Sequence, residues 1–357
     1  MHIIIVSPSL DPSSNVSGIS SVTRFIIENN PLRDYIHFEQ GRRDGEKGGF
    51  YRIGSIINGF KEWKHLLCKN PDAIVHYNFP LEKHSVLRDT PFMYAALRNG
   101  NKMVVHIHGG SYLTSSNIPF PYQQVLRRVF SWSVPFITLS DMEAETLRNK
   151  FRAKQVFTLP NCIDLRDAKT FERDYANELR PMTLGYLGRI TETKGMDYLL
   201  QACCELKKRD VPFLLKLAGA EDTEGRYLPL FSKMLGSQFD YCGTVSGEAK
   251  NNYLRSLDVL VMPTFFEGLP MSLLECMSYG VVPVITPVGS IPTVVSNLQN
   301  GVFIKVKDTE TIVNAVTSLH ANRSGLQRMS KSSRDYIFEH FDPETYISKL
   351  NHIYTLC

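Results

Sequence analysis

The chain has 357 residues, 43% hydrophobic and 21% charged, with a net charge of +4. That length asks for two domains rather than one core, and the composition describes a globular protein rather than a disordered one. No apolar run approaches the roughly 20 residues of a membrane-spanning helix, and so small a net charge argues against a nucleic-acid partner. Seven cysteines with no Cys-x-x-Cys pair exclude a disulfide scaffold or zinc ribbon. Their odd number and the adjacent Cys203-Cys204 fit reduced thiols and a cytoplasmic setting. Residues 1–165 hold 19 Lys/Arg against 14 Asp/Glu, whereas the remainder holds 21 against 22. A basic first half would suit an anionic surface such as lipid headgroups; ordinary surface variation is the plainer reading.

Met1-His-Ile-Ile-Ile-Val6 enters an apolar run without a basic flank and stops at Ser7-Pro8-Ser9. This predicts a buried strand at Ile3–Val6 rather than a signal peptide. Further strands are predicted at Ala73–Tyr77, Met103–Ile107, Phe136–Leu139 and Gln155–Leu159, with helices at Ser20–Glu28, Ile56–Lys69 and Tyr122–Ser133. Ser140-Asp-Met-Glu143 reads as a capping box: Ser140 accepts from the third helical amide while Glu143 reaches back. Ile56, Ile57, Phe60, Trp63 and Leu67 form an apolar stripe flanked by Lys61, Lys64, His65 and Lys69. It reads as a helix packing on its sheet, with an interfacial membrane helix as the alternative.

Pro160-Asn-Cys-Ile-Asp164 marks a crossing, and the alternation begins again after Pro181. Strands are predicted at Thr183–Leu187, Phe213–Ala218, Val259–Pro263, Val282–Ile285 and Gly301–Ile304, and helices at Met196–Lys208, Pro270–Tyr279 and Thr309–Leu319. Two such series predict an α/β protein of two Rossmann-like domains, residues 1–165 and 166–340. A closed eightfold barrel is disfavoured, because the polar stretch Asn161–Pro181 interrupts the alternation. The last segment, 341–357, carries Tyr346, Leu350 and Ile353 at helical spacing and is expected to pack back toward the first domain.

Ligands of open α/β sheets bind beyond the carboxyl ends of the strands, so the residues after each strand are the candidates. After the first strand, Gly18 stands among serines at a helix start, where an anion can approach free amides or where a tight turn simply needs capping. No Gly-x-Gly-x-x-Gly follows, which counts against a nicotinamide dehydrogenase. His106 and His108 share one face of their strand. His108 stands at the strand end beside Gly109-Gly110, which leave it room, while His106 reads as a satisfied core residue with no third metal ligand near.

Gly188-Arg189-Ile-Thr-Glu-Thr-Lys194-Gly195 joins a strand-end glycine, two cations and a helix start, a set suited to a diphosphate. Pro263-Thr-Phe-Phe-Glu267-Gly-Leu-Pro-Met-Ser-Leu-Leu-Glu275 is the strongest constellation. Pro270 suits a first helical turn and the amides after Gly268 can meet an anion. Glu275, among Leu273, Leu274 and Met277, is costly without a hydroxyl or cation to bind. Two carboxylates beside cations and free amides suit a ligand with both hydroxyls and phosphates, a sugar nucleotide.

At these residues the sequence resembles the retaining glycosyltransferases of group 1 (family four), which have the GT-B fold of two facing Rossmann-like domains with an interdomain cleft. The match rests on Glu267-x7-Glu275 and Gly188-Arg189…Lys194-Gly195, with Leu217-Ala-Gly219, Gly243-Thr-Val245, Asp258–Pro263, Pro160–Asp164 and His108-Gly109 in family order. The resemblance implies that Arg189 and Lys194, with Gly188, hold the donor diphosphate, and that Gly18 lies over it from the other domain. It implies that Glu275 binds the ribose hydroxyls. Glu267 would contact the donor sugar, helped by the amides of Gly268, Leu269, Pro270 and Met271 as far as each has one, and His108 would stand at the sugar end. The expected catalytic set is therefore His108, Glu267, Arg189 and Lys194. Two departures are Val16-Ser17-Gly18, with one glycine where many members have two, and Cys162 where glycine is common.

The implied activity moves a sugar from a UDP- or GDP-linked donor to a glycan or polyprenyl-linked acceptor, in bacterial-type surface polysaccharide biosynthesis. No Asp-x-Asp occurs, so no obligatory metal and no cofactor are expected, and the cations and a helix dipole would neutralise the departing diphosphate. The acceptor would attack on the face the diphosphate leaves, and the leaving phosphate would take its proton. The family's lipid-linked acceptors and the basic first half together imply peripheral contact with an anionic membrane at the cytoplasmic face. The competing readings are a sugar-nucleotide 2-epimerase and a catalytically silent nucleotide- or glycan-binding protein of the same fold.

Overall fold

The computed structural model describes residues 2–11, 15, 17–41, 50–115, 117–173, 180–221 and 225–357, apart from the side chains of 50–53 and 114. Val16 of the first glycine loop and residues 174–179 of the polar crossing stretch lie outside them. The chain divides into two compact units, residues 1–162 with 343–357, and residues 163–342.

In the first unit the strands β1 (His2–Ser7), β2 (Asp34–Glu39), β3 (Ile74–Phe79), β4 (Met103–Ile107), β5 (Phe136–Thr138) and β6 (Val156–Thr158) form one parallel sheet in the order β2-β1-β3-β4-β5-β6. Every residue of β3 and β4 is buried, as a parallel sheet covered on both faces requires. The stripe on the helix Phe50–Lys69 faces this core: Trp63 and Leu67 are buried, and Ile56 and Phe60 pack against it. Trp63 Nε1 donates to Phe92 O at 2.8 Å, which satisfies its one polar group. Ile57 and the flanking Lys61, Lys64, His65 and Lys69 are exposed.

The helix Asp141–Phe151 opens as its sequence predicts at Ser140, whose hydroxyl accepts from Glu143 N at 3.3 Å. Glu143 reaches back as expected, its Oε2 accepting from Leu139 N, the amide just ahead of the cap, at 3.0 Å. The last helix, Pro343–Thr355, belongs to this unit. Its Tyr346 ring meets Phe25 edge-on at 5.6 Å, and Asn351 exchanges hydrogen bonds with Asn30 and accepts one from Arg33.

The second unit holds β7 (Met182–Leu187), β8 (Phe213–Ala218), β9 (Phe239–Tyr241), β10 (Val259–Met262), β11 (Val282–Ile285) and β12 (Val302–Phe303). They too are parallel, in the order β12-β11-β10-β7-β8-β9. The winding therefore reverses between β7 and β10, the place where a doubly wound sheet opens a crevice for a ligand. In the first sheet the reversal falls between β1 and β3. The entry to β7 is fastened by charge: Asp258 accepts from Arg180 Nη2 at 2.6 Å and from Thr183 N at 2.8 Å. Arg173 donates to the carbonyls of Leu257 and Tyr279 at the C-terminal ends of two helices.

Candidate functional site

The loops after β7 and β10 meet where the second sheet reverses. Phe265 N donates to Thr193 O at 3.0 Å, tying one loop to the other. Gly195 follows the short 3-10 turn Glu192–Lys194 in the left-handed region, φ +78°, and any Cβ there would run into the carbonyl oxygen of Pro263. That close approach delivers Lys194 to Glu267. Their Nζ and Oε1 lie 2.5 Å apart, and both side chains are largely buried. Ser290 N, from the loop after β11, donates to Gly268 O at 2.9 Å and steadies the other side of the Glu267 loop.

Pro270 precedes the helix Met271–Ser278, and Leu273 and Leu274 are its first residues to donate, both to Pro270 O. The amides of Met271 and Ser272 thus stand at the positive end of the helix without intrahelical acceptors. Glu275 sits one turn further along, and Lys250 from the helix Gly247–Ser256 reaches it, Nζ to Oε1 2.7 Å. The cation that Glu275 needs is therefore on a neighbouring helix, and sequence reading missed it.

Arg189 is exposed, and its backbone carbonyl accepts from the Tyr186 hydroxyl at 2.6 Å. Burial, with the Glu267 carboxylate nearby, pushes that hydroxyl far above the usual tyrosine range, so it stays a donor. The second unit thus gathers Gly188, Lys194, Glu267, Gly268, Pro270, Met271 and Glu275 around one sheet edge. Leu269 is buried beneath the same loop.

In the first unit Gly18 begins the helix Gly18–Asn29, and a Cβ built on it meets nothing within 4 Å. The fold does not demand glycine there. His108 follows β4, where its Nε2 lies 2.6 Å from Asn78 Oδ1. The loop carrying it is zipped to the loop after β3: Leu81 N donates to Gly109 O, and Tyr112 N donates to Leu81 O. Glu82 accepts from both the amide and the hydroxyl of Ser111, at 2.7 and 2.8 Å. A Cβ on Gly110 would lie 2.6 Å from the Leu81 backbone. Gly110 therefore serves the approach of these two loops, rather than clearance around His108 as its sequence setting suggests.

His106 is fully buried but not fully satisfied, contrary to expectation. Its Nδ1 faces His76 Nε2 at 3.3 Å, and its Nε2 has no partner. His76, on β3, is a third histidine that sequence reading missed, and its Nδ1 lies 2.6 Å from the Tyr354 hydroxyl. His76 bonds to His106 and to Tyr354, whereas His108 bonds to Asn78 and only packs against the His106 ring, so the three do not converge on a point. Among the described residues no group of His, Cys, Asp or Glu has the arrangement to hold a metal ion. Burial drives all three imidazoles toward the neutral form, His76 and His108 down to about 3. None of the seven cysteines is disulfide-bonded, and no helix among the described residues is long and apolar enough to cross a membrane.

Residues 167–336 match the family model described as glycosyl transferases group 1. The alpha-D-kanosaminyltransferase of Streptomyces kanamyceticus is 24% identical over 257 residues, 66% of this chain and 65% of that protein. Across the first curated relatives the chain spans about half to two thirds of their length. Among solved structures, sucrose-phosphate synthase from Thermosynechococcus elongatus superposes with a TM-score of 0.81 at 17% identity, over 99% of this chain and 98% of that one. Anabaena HepE in complex with UDP-glucose gives 0.76 at 12% identity over the whole of both chains. The two six-stranded units are thus those of the GT-B fold.

Proposed function

We propose, because residues 167–336 match the family model of the group 1 glycosyl transferases, that the protein transfers a sugar from a nucleotide-sugar donor bound at the β7/β10 edge of the second unit. The observation that carries this reading is the Lys194–Glu267 pair beside the amides of Met271 and Ser272, with Glu275 one turn on. A diphosphate needs the cation and the helix end, a hexose needs a carboxylate acceptor, and a ribose needs a second one. In this reading Lys194, with Arg189, neutralises the diphosphate as it departs. Glu267 orients the sugar and Glu275, with Lys250 against it, takes the ribose hydroxyls.

Gly18 and His108 of the first unit are assigned to the diphosphate and to the transferred sugar on the family pattern. The donor is a UDP- or GDP-linked sugar, and the UDP-glucose bound by the Anabaena neighbour supports the former. Transfer proceeds with retention, without an obligatory metal, and the leaving phosphate takes the acceptor's proton. The acceptor is a glycan or polyprenyl-linked glycan of surface polysaccharide assembly, reached by peripheral contact of the basic first half with an anionic membrane. Thermal-shift screening of UDP- and GDP-sugars, followed by mass spectrometry of products with and without glycan acceptors, tests the proposal. Conversion of the donor without any acceptor would establish the epimerase instead.

A further inference from the structure

Asn78 is buried at the end of β3, and its two amide atoms face different partners. Nδ2 donates to Val6 O at 2.9 Å and to Thr23 Oγ1 at 3.2 Å. A backbone carbonyl can only accept, so the NH2 end of the amide must face Val6 and the oxygen must face His108. That oxygen lies 2.6 Å from His108 Nε2 and has no proton to give. The proton of this hydrogen bond therefore belongs to the histidine. Turning the amide over would set Asn78 Oδ1 against Val6 O and leave both without a donor.

We infer that Asn78 is a positioning residue that fixes His108 as its Nε2–H tautomer, so that Nδ1 is offered as an acceptor to a hydroxyl of the bound sugar. The second half of this rests on the reading of His108 given above; the tautomer does not. A neutral imidazole carries one ring proton, and Asn78 places it on Nε2. His108 makes no hydrogen bond through Nδ1 among the described residues, and unlike His76 and His106 it is only partly buried. The ring is held from behind by His106, whose centroid lies 4.1 Å away. An acceptor so placed selects for a hydroxyl donor and rejects a group that can only accept, such as a phosphate oxygen or an O-methyl.

The tautomer can be read without any ligand by long-range proton–nitrogen spectra of histidine-labelled protein, with His108→Gln identifying the signals. Wild type should show a protonated Nε2 and a bare Nδ1. Asn78→Leu should give a mixture of tautomers. Asn78→Asp keeps the acceptor toward Nε2 but loses the donor to Val6 O, so it should hold the Nε2–H form at a cost in melting temperature. A wild-type Nδ1–H signal overturns the inference outright, and needs no variant to fold. Turnover of the UDP- and GDP-sugar panel should fall at least about tenfold in Asn78→Leu, with recovery in Asn78→Asp. If Nε2–H is seen but His108→Gln turns over as wild type does, the sugar-facing role of His108 is overturned while the tautomer stands.

Discussion

Lys194 Nζ stands 2.5 Å from Glu267 Oε1, a cation from the loop after β7 meeting a carboxylate from the loop after β10. The two residues are far apart in sequence and share nothing but the point where the sheet reverses. On the proposed reading, a diphosphate arriving there draws Lys194 into a charge-assisted contact of about 1.5–3 kcal/mol. Lys194→Ala should therefore weaken UDP or GDP binding by that amount in calorimetry, with the circular dichroism unchanged. Undiminished affinity in a folded variant would refute the assignment. Transfer should also persist in EDTA; loss that magnesium or manganese restores would overturn the metal-free route.

The two glutamates should fail differently. Glu275→Ala should reduce affinity for the free nucleoside diphosphate, because its proposed ligand is the ribose. Glu267→Ala should spare that affinity and lower turnover. Lys250→Met should lie between, costing about 1 kcal/mol of stability once the exposure of both partners is allowed for. Equal loss of nucleotide affinity in the two glutamate variants would contradict this division.

Acid should destabilise the first unit through His76. Burial holds its ring at about 3 in the folded protein, against roughly 6.5 in the unfolded chain. The unfolded chain therefore takes up the proton first as pH falls. The contribution of His76 is complete above about pH 6.5 and declines toward pH 3, with about 2 kcal/mol lost at pH 5, beside further losses from His106 and His108, which burial also holds neutral. Melting curves at pH 7.5 and pH 5 should show that decline, and His76→Gln should make it shallower, leaving the share of His106 and His108, whatever its own melting temperature. An unaltered slope would mean that His76 is not carried neutral into the core.

Gly195→Ala tests the backbone approach that delivers Lys194. The left-handed conformation alone costs a residue with a Cβ about 1–2 kcal/mol, and the Pro263 carbonyl adds a clash. Both the melting temperature and the UDP or GDP affinity should fall. A variant matching wild type in both would show that the two loops do not depend on each other.

The interior strands were legible because they are continuous apolar runs, as β1, β10 and β11 illustrate. The strands β2 and β9, absent from the sequence reading, are both edges of their sheets. Asp34-Tyr-Ile-His-Phe-Glu39 is only half-buried, and Phe239-Asp-Tyr241 less still, so neither carries the pattern of a covered strand. Pro91 disguised the helix Lys83–Asn99 by sitting in its middle, where the sequence signal reads as a break. Placing the end of the third strand at Tyr77 left Asn78 out of view.

Glu267, Glu275, Arg189, Lys194 and His108 could be singled out because each stands near a strand end or helix start. Which of them would touch could not, since the partners come from different elements. Lys250 illustrates the limit: the need of Glu275 for a cation is written in its apolar neighbours, but the supplier lies on another helix 25 positions earlier.

The first unit is interrupted in the chain, with Pro343–Cys357 returning to it only after the second unit is complete. During synthesis, residues 1–162 leave the ribosome without the helix that covers Phe25 and supplies the hydroxyl beside His76. The second unit is contiguous and can close first. Until the final helix is made, the nascent first unit keeps an apolar face and a buried-histidine partner unprovided, so its packing is completed only after the second unit has been synthesised. Chaperone engagement should fall on that early-made, late-finished half.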